Sequence, residues 1–393
     1  MTMAAAMQSR TAEAPTRSKA SRIAHVDIVT DLGAAEAVWR AFEEPGHLFT
    51  PYQRFDLLSP WQRLVGEREG ARPLVVIAQD VERKPLLLLP LSLRQSHGVR
   101  TACFMGGKHT TFNMGLWNAE CAAQTVATDL EALLAPLREH VDVLALTQQP
   151  LRWHDQQNPF ALLPRQSAIN GCPQLVMETG GPPASRISNS FRRRLKSKEK
   201  KLQALAGYRY LLATSDADVA RLLDWFFRVK PVRMAEQKLP NVFAEPGVEQ
   251  FIRSACLASR GEGRVIDIHA LECDDEVIAI FAGVADGERF SMMFNTYTMS
   301  EHARYSPGLI LMRYIIDRYG ERGYRSLDLG IGSDDYKRMF CKDDQDIFDS
   351  FVPLTSRGKV AAMAMSSLSH GKRLVKQNQM LFDLARRLRQ AFG

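Results

Sequence analysis

The chain has few cysteines for its length. There are six in 393 residues (Cys103, Cys121, Cys172, Cys256, Cys273 and Cys341), each standing alone. None forms a CxxC pair or has a histidine at zinc-ligand spacing, so the sequence predicts reduced, mostly buried thiols and no metal site. Also missing is any run near the roughly 18 apolar residues that a membrane-spanning helix requires. The best run, 85–91, is the size of a strand, and the expectation is a soluble, cytoplasmic protein. Residues 1–22 are rich in Ala, Ser, Thr and Arg but lack the apolar core and cleavage site of a secretory signal, and read as a disordered tail. No Gly-x-Ser-x-Gly elbow, Walker loop or dinucleotide fingerprint occurs, and Gly330-Ile331-Gly332 lacks a third glycine.

What is present describes a globular protein. Hydrophobic residues make up 45% and charged residues 24%, and the length exceeds what one core usually fills, which predicts two domains. The net charge of +7 favours an anionic partner such as a nucleotide cofactor, RNA or acidic lipid. In the first part, 74–80 and 85–93 read as a hairpin around the charged turn 82–84. Residues 126–139 carry helical periodicity, and 141–146 follow as a buried strand. Gly180-Gly181-Pro182-Pro183 is the clearest break, since neither helix nor strand survives it, and the domain boundary is expected there.

The second part has a definite order. A basic amphipathic helix is expected over 186–201, with Glu199 its only acid. Ser215 with Asp218 caps a second helix. Residues 265–271, 277–285 and 290–297 then read as three antiparallel strands with turns at Asp274-Asp275 and Asp286-Gly287. Ser306-Pro307-Gly308 opens a helix whose apolar face is Leu309, Met312, Ile315, Ile316 and Tyr319, with Arg313 and Asp317 on its polar side. A strand at 326–331 and a short helix from Asp334 close the series.

Four segments carry a family resemblance: FRRRLKSKEKKLQAL at 191–205, FFRVK at 226–230, YSPGLILMRYIIDRYGERGY at 305–324 and LDLGIGSDDYKRMF at 327–340. They resemble the GNAT acyltransferases, specifically the CelD/BcsL-like branch associated with polysaccharide synthesis. TTFNMGLW at 110–117 is similar to the corresponding loop of a first lobe. The resemblance implies an α+β (mixed α/β) fold of two tandem GNAT-like domains, each a mixed, mostly antiparallel sheet flanked by helices, similar to the Fem transferases. The expected division is a tail at 1–25, domains at 26–180 and 185–355, and a basic helical segment at 356–393 that caps the second lobe or touches a membrane.

The implied activity is transfer of an acyl group, most simply acetyl, from acyl-CoA to an amine or hydroxyl of a small molecule or saccharide, without a metal. In such proteins the CoA pyrophosphate rests at the turn matching Ser306, Pro307, Gly308 and Leu309, where helix amides and dipole attract phosphate. The pattern departs from the superfamily's R/Q-x-x-G-x-G/A: counted from Arg304, proline holds the first glycine position and leucine the last. Tyr336, in the helix after the fifth strand, is placed to protonate the departing thiolate, although an amphipathic core tyrosine would have the same pattern. Asp328 and Asp335 could orient an amine, Lys337 could hold an anion, and Asn295 and Tyr297 alternate onto one strand face beside the acyl group. Asp267 and His269 share a strand face as a possible general base, or as merely polar groups. Two rivals stand beside this reading: a Fem-like enzyme using aminoacyl-tRNA, which the basic helix would serve, and a non-catalytic accessory protein of polysaccharide synthesis.

Overall fold

The computed structural model describes residues 21–178, 181–182, 186–261, 263–332 and 334–377. Most of the expected tail, Gly180 and Pro183 of the break, and the C-terminal apolar residues Met380, Leu381, Leu384 and Leu388 lie outside the described residues. The last residues of the expected tail are packed: Ile23 is buried, Arg22 pairs with Asp129 at 3.0 Å, and a strand starts at His25.

The chain forms a mixed α/β fold around two mixed sheets. The first sheet runs in the order His25–Val29, Arg72–Gln79, Pro85–Ser96, Val99–Phe104, Val143–Pro150, Ile347–Pro353 and Gln166–Ser167, with Leu116–Asn118 and His47–Leu48 paired beside it. The second runs Arg209–Leu212, Asp267–Cys273, Glu276–Ala285, Arg289–Tyr297, Ser326–Asp328, Cys172–Val176 and Asp343–Gln345. Both repeat one plan. Antiparallel strands lead to a helical crossover and then to a parallel partner, Val143–Pro150 against Val99–Phe104 in one sheet and Ser326–Asp328 against Arg289–Tyr297 in the other.

The sheets exchange strands. Cys172–Val176 precedes the Gly-Gly-Pro-Pro break yet pairs in the second sheet, while Ile347–Pro353 follows the second sheet and pairs with Val143–Pro150 in the first. The break therefore does not separate the two sheets. The helix Ser356–Gln377 packs on the first sheet rather than capping the second lobe. Gly358 makes its approach possible, since a Cβ there would lie 1.7 Å from the Asp142 carbonyl oxygen.

Side chains on the second sheet alternate between two cores, as the two-residue period of a strand requires. Ile268, Ile280, Ala282, Val284 and Phe294 join a core shared with the first lobe and the helices Asp216–Glu236 and Val248–Leu257. Leu271, Ile278, Phe281, Phe290 and Met292 face the crossover helix Pro307–Glu321 and the basic helix Asn189–Gln203. The basic helix docks through its one acid: Glu199 is buried, accepts from Arg313 at 2.6 Å and from the Tyr208 hydroxyl at 3.0 Å. Arg192 forms a two-pronged pair with Asp317, both contacts at 2.7 Å. Arg313 and Asp317 thus face a helix rather than water, because the helix that carries most of the chain's clustered cations leaves its own acid inside.

Candidate active site

Two adjacent parallel strands separate at one point. Arg289–Tyr297 and Ser326–Asp328 are in register for three residue pairs, ending at Ser291 with Asp328. Beyond them the first strand continues to Tyr297, and the second turns away through Gly330 and Gly332, whose φ values of 73° and 112° favour glycine. A register shift between Ala282 and Gly283 opposite Phe294 and Met292 leaves Met293 as an extra residue, a bulge that bends the strand. The Met292 carbonyl accepts from the buried Tyr52 hydroxyl at 3.2 Å, so the first lobe braces the place where the strands part.

The opening holds a cavity of about 540 Å³. Its walls come from residues 292–297, from 329–331 with Asp334, Tyr336 and Lys337, from the helix Asp216–Glu236, and from 108–111 of the first lobe. Tyr336 and Asn295 face each other across it, with Asn295 Nδ2 donating to the Tyr336 Oη at 3.2 Å. Because the phenol oxygen is the acceptor in that bond, its own proton remains available; among the described residues it donates to no acceptor. Burial pushes the Tyr336 hydroxyl up to about 12, against a smaller opposite effect of the Asn295 bond, so it is protonated at neutral pH.

Of the residues expected at the site, Tyr336, Asn295, Tyr297 and Lys337 line the cavity. Lys337 is nearly closed from water and is held by the Gly330 and Ile331 carbonyls at 3.2 and 3.0 Å and by Asp334 at 3.4 Å, which shapes the bend of the loop. Ser306, Pro307, Gly308 and Leu309 lie at the helix start just beyond Tyr297: a Cβ on Gly308 would be 3.5 Å from the Tyr297 ring. Ser306 adopts a left-handed conformation (φ 58°) and does not cap the helix with its side chain; its hydroxyl accepts from Lys198 at 2.7 Å. That ammonium adds positive charge to the dipole end of the helix, an arrangement suited to phosphate.

Neither that helix start nor Asp328, Asp335, His269 or Asp267 lines the cavity. Asp328 is fully buried behind it, accepting from Arg289 Nε at 2.9 Å, from the Ser291 hydroxyl, and from the Gly330 amide at 3.1 Å. With its oxygens so occupied it serves the packing of the strands and has no free acceptor to orient an amine. Asp335 is exposed to solvent outside the cavity wall. His269 lies in the core between Tyr210 at 2.8 Å and Tyr319 at 3.1 Å. The Tyr319 hydroxyl donates to Asp267 at 2.7 Å, so it accepts from His269 Nε2 and separates the Asp from the His. Burial lowers His269 to about 3, with Arg318 and Arg322 adding to the effect, so it is a neutral structural imidazole.

Several cavity residues were given no role by the sequence, although Lys230 ends the FFRVK segment and Thr111 lies in TTFNMGLW. Lys230 and Arg233 project from one face of the helix Asp216–Glu236, a helical turn apart, and His109, Thr111 and Gln148 arrive from the first lobe. His109 is held by the Trp61 indole, which donates to its Nδ1 at 3.0 Å; burial lowers its basicity and its Nε2 has no partner among the described residues. Away from the cavity, Cys273, Asp274 and His302 place one potential ligand atom each within 4.8 Å of one another, the one such group of three among the described residues.

A mixed sheet whose central parallel pair splays beside a crossover helix is the plan of a GNAT-type fold. Residues 189–338 match the family described as an acetyltransferase (GNAT) domain. No curated protein matches the chain. Among solved structures, the chain is similar to a conserved protein of unknown function from Bacteroides thetaiotaomicron VPI-5482, with a TM-score of 0.54 at 12% identity, covering 84% of this chain and 100% of that one. It is also similar to FemX, with a TM-score of 0.53 at 8% identity over 81% of this chain and 96% of that one. A third is the C-terminal domain of a protein assigned as a lysylphosphatidylglycerol synthetase from Agrobacterium fabrum, with a TM-score of 0.51 at 11% identity over 86% and 98%. At these identities the likeness is one of fold.

Proposed function

We propose that this chain transfers an acyl group, most simply acetyl, from acyl-CoA to an amine or hydroxyl acceptor bound between the lobes. The observation that carries this reading is the parting of Arg289–Tyr297 from Ser326–Asp328 with the Tyr336 hydroxyl set across the gap. The phosphates of the cofactor would meet the first-turn amides of the helix at Gly308, assisted by Lys198, and the thioester would enter the opening. Attack by the acceptor nitrogen or oxygen on the thioester carbon forms the new bond and breaks the C–S bond. The departing thiolate takes the Tyr336 proton, the acceptor's proton leaves to solvent, and the phenolate is reprotonated from solvent. Asn295 holds the phenol by its oxygen and leaves that proton free to move.

The superfamily's pyrophosphate pattern is altered at Pro307 and Leu309, and a specific feature supports a second donor. Arg193, Arg194, Lys196, Lys200 and Lys201 form an exposed cationic face on the basic helix, beside the same helix start. An aminoacyl-tRNA donor, in the manner of a Fem transferase, would use that face while sharing the opening. The CelD/BcsL resemblance supports a cytoplasmic setting in polysaccharide or cell-envelope synthesis, where a non-catalytic accessory role would keep the fold without turnover. Native mass spectrometry of the purified protein with acetyl-CoA and with bulk aminoacylated tRNA decides between donors. Retention of CoA with no tRNA complex supports the acyl-CoA reading, and the reverse replaces it with the tRNA-dependent one.

A further inference from the structure

The charges in the wall of the cavity do not balance. Lys108, Lys230, Arg233 and Lys337 line it, against one carboxylate, Asp334. Asp334 is paired with Lys337 and Glu245 with Lys108, so these four groups neutralise one another. Lys230 and Arg233 are left. Both are half-buried, and among the described residues neither forms a salt bridge with an acid. The Arg233 guanidinium carbon lies over the Tyr297 ring, 3.5 Å from its centroid, a contact that does not use its N–H donors. Lys230 spends one donor on the Asn295 carbonyl at 3.0 Å and lies 5.7 Å from the Phe243 ring centroid, with no further hydrogen-bond acceptor among the described residues. Two half-buried cations with spare donors in one wall, and no acid paired with either among the described residues, suit an anionic group. Burial and the like charge of Arg233 lower Lys230 to about 8, which Asp334 only partly opposes.

We infer that Lys230 and Arg233 form a subsite for a carboxylate or phosphate group of the acceptor, so that the molecule acylated is itself an anion. The inference rests on the acyl-transfer reading for the word acceptor, but the subsite stands on the uncompensated cations alone. Its position has a consequence for chemistry: Lys230 binds the main chain of the residue whose side chain holds the Tyr336 phenol. An anion seated there is fixed relative to the proton donor, which leaves the reacting amine or hydroxyl of the same molecule facing the opening. Arg233 and the helix start flank Tyr297, so the subsite and the proposed cofactor phosphate site are neighbours with separate donors.

The test uses the full-length protein at constant ionic strength. Inorganic phosphate, succinate and the neutral probe glycerol are titrated separately, with binding read by calorimetry and thermal shift, and acetyl-CoA binding is measured in parallel. Wild type should bind phosphate or succinate, the better of the two naming the group, and should ignore glycerol. Lys230→Met and Arg233→Gln should each weaken the anion by about tenfold to a hundredfold, the scale of one lost charged hydrogen bond. Both variants should fold and keep the wild-type affinity for acetyl-CoA. Circular dichroism checks folding, and Arg233→Lys, which keeps the charge, provides a second variant. No anion binding at tens of millimolar, or binding unchanged in both Lys230→Met and Arg233→Gln, overturns the inference. Loss of acetyl-CoA binding in wild type with anion binding intact would instead remove the acyl-CoA reading and leave the subsite in place.

Discussion

Arg289 and Asp328 meet at 2.9 Å across the two parallel strands, Asp328 standing in the last register pair before they part, and both are closed from water. The guanidinium also lies 4.7 and 4.6 Å from the ring centroids of Phe112 and Trp153 of the first lobe, so one ion pair fixes both the apex of the opening and a contact between the lobes. Asp328→Asn keeps the shape but leaves a buried cation without its counter-charge, which costs about 3–5 kcal/mol. Urea denaturation should show that loss as a lower midpoint at unchanged slope. An unaltered midpoint would mean that the two aromatic rings suffice to hold Arg289.

His269 predicts an acid sensitivity of definite sign. Its folded pKa is depressed from the ordinary 6.5 to about 3 by burial, so between those values the unfolded chain binds a proton that the folded chain refuses. Stability is therefore lost as pH falls below about 6.5, down to about 3. His269→Gln can keep a donor and an acceptor for Tyr319 and Tyr210 without titrating. The difference in stability between the two proteins should favour wild type most at neutral pH and shrink steadily toward pH 4. A pH-independent difference would show that the imidazole is not forced to stay neutral.

The helix start at Gly308 is tested by ligand-dependent stability. Acetyl-CoA, binding only the folded chain, should raise the Tm by mass action. Gly308→Val should reduce that rise sharply. A bare Cβ would only touch Tyr297 at 3.5 Å, whereas the branched methyls fill the space that phosphates need and press on the ring. An undiminished shift in the variant would move the phosphate site elsewhere.

Much of the second lobe was legible because local pattern and fold agree there. Ser215 does accept from the Asp218 amide at 3.1 Å, and the three-strand meander and the helix from Pro307 fall within a few residues of their expected positions. The strand exchange was not legible. Cys172–Val176 and Ile347–Pro353 are short segments of mixed polarity that suit either sheet, and their partners are set by packing between lobes. The same limit explains Asp328, read as an acid free to orient an amine: its partner Arg289 is 39 residues away in sequence. Lys230 and Arg233 share a helix face around Pro231, a residue that ordinarily argues against a continuing helix. Tyr336 and Asn295 were each expected beside the acyl group, but the hydrogen bond between them joins residues 41 apart in sequence and has no local signal.

That bond makes the last prediction the most specific. Tyr336 accepts from Asn295 and is protonated because burial raises it to about 12, so the hydroxyl is a donor in waiting at any physiological pH. Tyr336→Phe removes the proton and leaves the ring, which is half-buried against the second core, in place. Folding and acetyl-CoA affinity should be nearly intact while turnover falls by about 10²-fold or more, the usual scale for a positioned acid. Asn295→Ala should do less, since the phenol keeps its proton and loses only its alignment. Steady-state kinetics of both variants, with an anionic amine or hydroxyl compound as acceptor, makes the comparison. A fall smaller than about threefold for Tyr336→Phe would assign the residue to packing, and an Asn295→Ala variant slower than Tyr336→Phe would make the amide the group that matters.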